Sequence, residues 1–157
     1  MVDDGNCQFR ALSEECWGTP RYHYAVRLRA CEYMEANSDQ FACYFPEDEW
    51  ADYLRKMRMR RTWGDELSLR AAAEVLKCSV YVVTSESENW LLNYSPGDQK
   101  GSAAASNGPV RSLFLTYVSP IHYNTCEPKT TELSDGLGAE GVAIVTSGLR
   151  KVASLPS

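Results

Sequence analysis

The sequence has no long hydrophobic run and no secretory signal at its start. No apolar stretch approaches the roughly 20 residues that cross a bilayer. The first four residues, Met1 to Asp4, contain neither a basic region nor an apolar core. We therefore expect a chain that does not enter a membrane and that stays inside the cell, in the cytoplasm or the nucleus.

Positive charge is also scarce. The chain has 16 Lys and Arg against 21 Asp and Glu, a net charge of −5. Long-range attraction to nucleic acid or to an anionic membrane is therefore not expected. Five basic residues between Arg55 and Arg61 are the exception. They lie at the end of a predicted helix, where cations complement the dipole, and this favours a solvated helix end over a nucleic-acid site.

Metal-binding and redox patterns are missing too. The six cysteines form no Cys-x-x-Cys pair, which excludes a zinc ribbon and a thioredoxin-type motif. We expect free thiols in a reducing compartment and neither a metal nor another cofactor. Only two histidines are present, His23 and His122, so any histidine-dependent chemistry has few candidates.

The composition is that of a globular domain, with 44% hydrophobic residues in a chain of 157. Helical periodicity dominates the first half and β-branched or aromatic runs the second, which predicts an α+β fold. The predicted helices cover 7–17, 23–37, 46–61 and a segment from Thr62 or Asp65 to Lys77. The predicted strands cover 79–84, 90–94 and 113–118.

The second helix is predicted to be amphipathic. Val26, Ala30 and Met34 recur at helical spacing on one face, whereas Arg27 and Arg29 take the other face. Large side chains in the other segments are assigned to core packing rather than to a binding platform. These are Trp50, Trp63 and Trp90.

The last part of the chain has little apolar pattern. Residues 127–157 contain no aromatic side chain and four glycines, which predicts a poorly ordered tail after a domain of residues 1–126. Val142 to Val145 is the tail's one candidate for regular structure. The segment from Ser95 to Val110 is predicted to be a flexible loop, either facing a substrate or a tolerated insertion.

Chemistry is suggested by a cysteine at a turn-to-helix junction. Asp4, Gly5 and Asn6 form a polar turn before Cys7, and a helix N-terminus favours a thiolate. Amides of the turn could hold an oxyanion. After the last predicted strand, His122 and Asn124 stand two positions apart and can face the same side of an extended chain. Cysteine, histidine and asparagine can serve as nucleophile, base and orienter of a thiol hydrolase.

These residue types alone also allow structural roles. A cysteine is often a small buried hydrophobe, and a histidine near a strand end is often a satisfied structural residue. His23 begins a helix on a polar turn, which favours a surface or capping role. Four of the remaining cysteines are interpreted as core thiols, namely Cys16, Cys31, Cys43 and Cys78. Cys126 lacks the partners that a metal site requires.

The order of the motifs distinguishes these alternatives. The first motif begins at Asp4 and reads Asp-Gly-Asn-Cys-x-Phe-Arg-Ala. A predicted helix with an alanine run then opens at Trp63-Gly64-Asp65, and a predicted strand with the sequence Val-Tyr-Val-Val follows it. The last motif begins at His122 and reads His-Tyr-Asn. From Asp4 to about Cys126 the chain resembles the ovarian-tumour (OTU) superfamily of deubiquitinating cysteine proteases. The resemblance implies a papain-like α+β fold, with helices packed around a small, mostly C-terminal sheet.

The resemblance also implies an activity and its residues. The activity is hydrolysis of the isopeptide bond between ubiquitin and lysine, by a monomer whose partners are ubiquitin and ubiquitinated proteins. Cys7 matches the nucleophile and His122 the general base and later acid. Asn124 matches the orienter, where many members have aspartate. Asp4 matches a residue commonly counted as catalytic, and it helps to shape the oxyanion loop of Asp4, Gly5, Asn6 and Cys7.

Two other functions remain open. Domains of the resembled family usually carry structured residues before the cysteine motif, whereas six residues precede Cys7 here. A misplaced thiol would leave a non-catalytic ubiquitin-binding module. A protease for another ubiquitin-like modifier is the third possibility. Linkage preference depends on where a second ubiquitin docks, so it does not follow from the sequence.

Overall fold

The structure is a computed structural model that describes residues 4–46, 48–97, 111–118, 122–126, 128–130, 141–146 and 149–154. Its contacts divide the chain into two units, Met1–Thr125 and Cys126–Ser157. None of the helices in the described residues has the length and apolar character required to cross a bilayer. Most of the loop predicted between Ser95 and Val110 lies outside the described residues, from position 98 onward.

The first unit contains five helices within its described residues. They are α1 (Cys7–Trp17), α2 (His23–Ala36), the short α3 (Ser38–Phe41), α4 (Glu49–Met57) and α5 (Glu66–Leu76). Glycine ends α1, because Gly18 adopts a left-handed conformation and its N–H binds the Glu14 carbonyl at 2.7 Å. Asp65 begins α5 through a reciprocal pair of hydrogen bonds with Ser68. The helices predicted around 7–17, 23–37 and 65–77 are confirmed, whereas α4 begins three residues after Pro46.

The sheet of the first unit has four strands. They are β1 (Cys78–Thr84), β2 (Leu91–Tyr94), β3 (Arg111–Val118) and β4 (His122–Thr125), in the order β2-β1-β3-β4. The β1–β3 pair is parallel, and the other two pairs are antiparallel. Helices α1 and α5 pack on this sheet and α2 packs on both of them. The predicted α+β class is confirmed, and β4 is a strand that the sequence pattern had not indicated.

The core lies between these helices and the sheet. Phe9 and Leu12 of α1, Met34 of α2 and Val80 of β1 are fully buried. Each such side chain contributes about 1.5–3 kcal/mol through removal from water. Cys7 belongs to the same buried cluster, so the candidate nucleophile lies at the edge of α1 that is packed into the core.

Three sequence predictions about burial were wrong. Arg27 was placed on the outer face of α2 but is 0% exposed, because backbone and side-chain oxygens surround its guanidinium. Trp63 was assigned to the core but is 45% exposed, since it lies in the loop before α5 rather than on a helix face. Cys43 was interpreted as a core thiol but is exposed in a short turn after α3.

The second unit holds a separate three-stranded sheet. Its strands are β5 (Pro128–Thr130), β6 (Gly141–Thr146) and β7 (Leu149–Ser154), paired antiparallel in that order. The sequence had indicated regular structure only at Val142 to Val145, within β6. The division into a domain of 1–126 and a poorly ordered tail remains a prediction.

Deleting residues 127–157 is expected to lower the melting temperature by less than about 8 °C, the upper shift for 1 kcal/mol in a small domain. The reason is that the described strands of the tail pair only with one another, whereas the four-stranded sheet is complete without them. Thermal unfolding of the full chain and of the 1–126 fragment measures the difference. A larger drop would show that the tail stabilises the first unit.

Candidate active site

Cys7 is the first residue of α1. The residue is 1% exposed and lies at the end of the helix where the first backbone N–H groups have no intrahelical acceptor. Asn6 precedes it without capping the helix through its side chain, although the Asn6 carbonyl accepts from the Arg10 N–H at 2.9 Å. The predicted turn-to-helix junction is therefore present, and the local dipole favours negative charge at this position.

The turn before Cys7 requires glycine at position 5. Gly5 has φ +74°, in the left-handed region. A Cβ at Gly5 would also overlap the backbone carbonyl of Arg61, which itself has φ +68°. The close approach of two backbone segments thus excludes any larger residue at position 5. It also places the turn in direct contact with the loop that follows α4.

Asp4 fixes the outer side of this turn. Its carboxylate accepts from the Asn6 N–H at 3.1 Å and from both terminal nitrogens of Arg10, at 2.5 and 2.8 Å. The hydrogen bond from Arg10 is the main cause that lowers the pKa of Asp4 to about 2. Asp4 therefore stays ionised at any physiological pH, and the ion pair ties the turn to the first two turns of α1.

His122 and Asn124 lie on the same side of β4. His122 Nε2 is 3.2 Å from Asn124 Oδ1. An amide oxygen only accepts, so Nε2 carries the proton in this arrangement and the basic lone pair is on Nδ1. The register that places them there comes from β3, since His122 pairs with Val118 and Asn124 with Thr116. The predicted pairing of histidine and asparagine is thus present in the structure.

The candidate nucleophile on α1 and the candidate base with its orienter on β4 lie on neighbouring elements. Strand β4 packs against α1, and Tyr123, between His122 and Asn124, belongs to the same buried cluster as Cys7. The Tyr123 pKa is raised by burial, and a hydrogen bond with the side chain of Gln8 opposes that shift. The residue after the candidate nucleophile therefore contacts the residue after the candidate base.

Gln8 also joins this pair to the start of α5. It is fully buried, it donates from Nε2 to the Asp65 carbonyl at 2.9 Å, and it accepts from Ser68 Oγ at 2.9 Å. A Cβ on Gly64 would overlap the Gln8 side chain. Sequence analysis missed Gln8, although a glutamine directly after a helical cysteine, where apolar burial is expected, is the signal that could have identified it.

A cleft of about 360 Å³ lies beside Tyr123. Aromatic side chains and the backbone of the loop before α5 line it, with Trp63, Gly64 and Tyr117 among them. The rings of Tyr117 and Tyr123 are 4.6 Å apart. Neither Cys7 nor His122 is among the residues that line this cleft.

His23 lies outside this arrangement. It begins α2, and its Nδ1 is 3.0 Å from the Pro20 carbonyl. Burial is the main cause that lowers the His23 pKa. Among the described residues, no group of three or more His, Cys, Asp or Glu side chains is placed to hold a metal ion. Of the two histidines, His122 is thus the one whose imidazole lies beside an asparagine side chain.

Replacing Asn124 by alanine is expected to lower kcat about tenfold, because one hydrogen bond contributes about 0.5–1.5 kcal/mol and about 1.4 kcal/mol corresponds to a factor of ten. The imidazole would keep its basicity but lose the acceptor that fixes its tautomer. Steady-state kinetics of Asn124→Ala test this, with the exposed Asn93→Ala on β2 as control. An unchanged rate would mean that another group orients His122.

Comparison with known proteins identifies a family and relatives. A family model described as OTU-like cysteine protease matches residues 2–123, which confirms the resemblance found in the sequence. The chain is 33% identical over 121 residues to OVARIAN TUMOR DOMAIN-containing deubiquitinating enzyme 10 of Arabidopsis thaliana, covering 77% of this chain and 32% of the relative. The chain spans about a third of the length of its first curated relatives.

Solved structures show the same fold. The OTU domain of OTUD1 matches with a TM-score of 0.65 at 19% identity, covering 80% of this chain and 81% of that one. An ovarian tumour domain solved in complex with ubiquitin matches with a TM-score of 0.60 at 15% identity, covering 80% and 65%. The expected OTU fold is therefore confirmed, including the small mixed sheet beneath the helices.

Proposed function

This chain belongs to the OTU-like cysteine protease family, and on that premise we propose that it is a deubiquitinase that hydrolyses isopeptide bonds between ubiquitin and lysine. In this proposal Cys7 is the nucleophile, His122 the general base and acid, and Asn124 the orienter. Asp4 shapes the oxyanion loop of residues 4–7. The protein acts as a monomer on ubiquitin conjugates of the cytoplasm or nucleus.

The proposed reaction has two stages. His122 Nδ1 takes the thiol proton, and Cys7 Sγ attacks the carbonyl carbon of the isopeptide bond. The negative charge that develops on the carbonyl oxygen is stabilised by backbone N–H groups at the start of α1. His122 returns the proton to the lysine amine as the C–N bond breaks. Water, deprotonated by the same imidazole, then hydrolyses the thioester and regenerates the thiol.

The observation that carries this proposal is the hydrogen bond between His122 and Asn124 on the strand that packs against the helix begun by Cys7. With Nε2–H directed to Asn124, Nδ1 is the basic nitrogen, which is the tautomer that a general base requires. A non-catalytic binding module would require none of these three side chains. The retained set therefore favours catalysis over binding alone.

A ubiquitin derivative with an electrophilic C-terminus tests the proposal directly. We expect a covalent adduct of the full chain, located on Cys7 by peptide mass mapping. Binding of unmodified ubiquitin without an adduct would support the non-catalytic module. An adduct only with the equivalent probe of a ubiquitin-like modifier would support the third possibility. A panel of diubiquitins then measures which linkages are cut.

A further inference from the structure

Arg27 is a positively charged side chain inside the core. It is 0% exposed, and the hydrogen bonds described for its guanidinium all go to neutral acceptors. A buried charge that lacks a hydrogen-bonded counterion is strongly unfavourable, unless several dipoles compensate it. A hydrophobic residue at this position of α2 would avoid that cost, so the side chain is expected to have a role besides packing.

The acceptors of Arg27 belong to two separate segments. Nη1 donates to the carbonyl of Met57, the last residue of α4, at 2.9 Å, and Nη2 donates to the Thr62 carbonyl at 2.7 Å, in the loop that follows α4. Nη2 also donates to the Gly5 carbonyl at 3.0 Å and to Asn6 Oδ1 at 3.1 Å, in the turn before Cys7. One guanidinium therefore fastens the turn to that loop.

These contacts fix the two residues before Cys7. The Gly5 carbonyl points to Arg27, and the Asn6 N–H of the same peptide group points to Asp4 at 3.1 Å. Asn6 Oδ1 receives a second hydrogen bond from the Arg61 N–H at 3.0 Å. Hydrogen bonds therefore fix both the Gly5–Asn6 peptide plane and the Asn6 side chain. Arg27 takes part in both sets of hydrogen bonds and so fixes the direction in which the chain enters α1.

The aromatic ring of Phe9 completes the support. The centre of the Arg27 guanidinium lies 4.2 Å from the Phe9 ring centroid, a distance at which the ring quadrupole attracts a cation. Phe9 is two residues after Cys7 on α1 and is fully buried. Arg27 thus contacts α1 on one side and the turn before it on the other, with Cys7 between the two contacts.

We propose that Arg27 is a positioning residue that holds the turn of residues 4–7, and so orients the Cys7 thiol and the backbone N–H groups that receive the oxyanion. This inference rests on the proposed function of Cys7. Arg27 is buried and does not touch the substrate, so its loss acts on kcat and leaves KM unchanged. A misplaced nucleophile can lower the rate by about a hundredfold without any change in binding.

Two variants and one control separate positioning from folding. Arg27→Lys keeps the charge, but a single ammonium cannot donate to both segments as the planar fork does. Asn6→Ala removes the side-chain oxygen that Arg27 and Arg61 share. Arg29→Lys on the exposed face of α2 is the matched control, since Arg29 contacts only Glu32 among its described ion pairs.

Kinetics on a ubiquitin conjugate and thermal unfolding of the full chain are measured together. We expect Arg27→Lys and Asn6→Ala to lower kcat at least about tenfold with KM unchanged, and Arg29→Lys to keep the parent rate. The double variant Arg27→Lys with Asn6→Ala should lose less than the product of the two single losses. Parent rates in both single variants, a double variant that loses the full product, or losses that follow the unfolded fraction would overturn the proposal.

A second measurement is independent of ubiquitin. The rate at which iodoacetamide alkylates Cys7 is followed by peptide mass mapping across a pH series. We expect the profile to change in Arg27→Lys and Asn6→Ala but not in Arg29→Lys. If the parent neither turns over ubiquitin conjugates nor forms the probe adduct, the proposed function fails, while this profile still tests Arg27. Identical profiles in all variants would reject the positioning role.

Discussion

Replacing Cys7 by alanine should abolish cleavage of ubiquitin conjugates, with a loss of at least about four orders of magnitude in kcat, the scale on which hydrolases respond to removal of their nucleophile. Cys7 begins α1 at the turn of Asp4 to Asn6, and no other residue type there can form the thioester. The substitution removes one buried sulfur atom and leaves the hydrogen bonds of the turn in place. The fold should therefore persist, as circular dichroism and thermal unfolding would show.

A second cysteine on the same helix provides the matched control for this prediction. Cys16 lies in the last turn of α1, where burial raises the pKa of its thiol to about 11. A protonated thiol is a weak nucleophile, so Cys16→Ala should keep the parent rate. Equal cleavage by Cys7→Ala and the parent would remove Cys7 from the mechanism and, with it, the assignment of the site.

Replacing His122 by alanine should lower kcat about 10²–10⁴-fold, the usual contribution of a general acid and base. The reason is that Nδ1 is the atom available to take the thiol proton while Nε2–H is bound to Asn124. Steady-state rates with a ubiquitin conjugate measure the loss, and the probe adduct should form correspondingly slowly. The KM value should change little, because the imidazole acts on the transferred proton.

His23→Ala is the control for the base, since it is the one other histidine in the sequence. Its imidazole interacts with the Pro20 carbonyl at the start of α2, and we expect the rate to stay near that of the parent. A larger loss from His23→Ala than from His122→Ala would show that the base had been assigned to the wrong histidine.

Local sequence signals were sufficient for α1, α2 and α5, whereas α3 was not predicted and α4 is shorter than predicted. The glycine at position 18 and the Asp65–Ser68 pair mark helix ends through contacts within a few residues, and such contacts are visible in a sequence. The parallel pairing of β1 and β3 and the strand character of His122–Thr125 depend on partners far along the chain. A four-residue polar segment has no periodicity of its own, so β4 could not be predicted.

Some residues of the candidate site could likewise be predicted from the sequence, and others could not. Motif order was enough to select Cys7, His122 and Asn124, because each has a residue type that the chemistry requires. Arg27 and Gln8 could not be selected, since their hydrogen-bond partners lie between 21 and 60 positions away. Helical periodicity assigns an arginine to the solvent face, and only the three-dimensional placement of carbonyl groups reverses that assignment.

The contact between Gly5 and Arg61 sets an order of events during synthesis. The turn of residues 4–7 leaves the ribosome before the segments that hold it, which emerge only after residue 62 has been made. The strand that carries His122 emerges about 60 residues later still, several seconds at usual elongation rates. A nascent chain therefore exposes Cys7 before Arg27, Arg61 and His122 can contact its surroundings, and the candidate site is assembled only after β4 has been made.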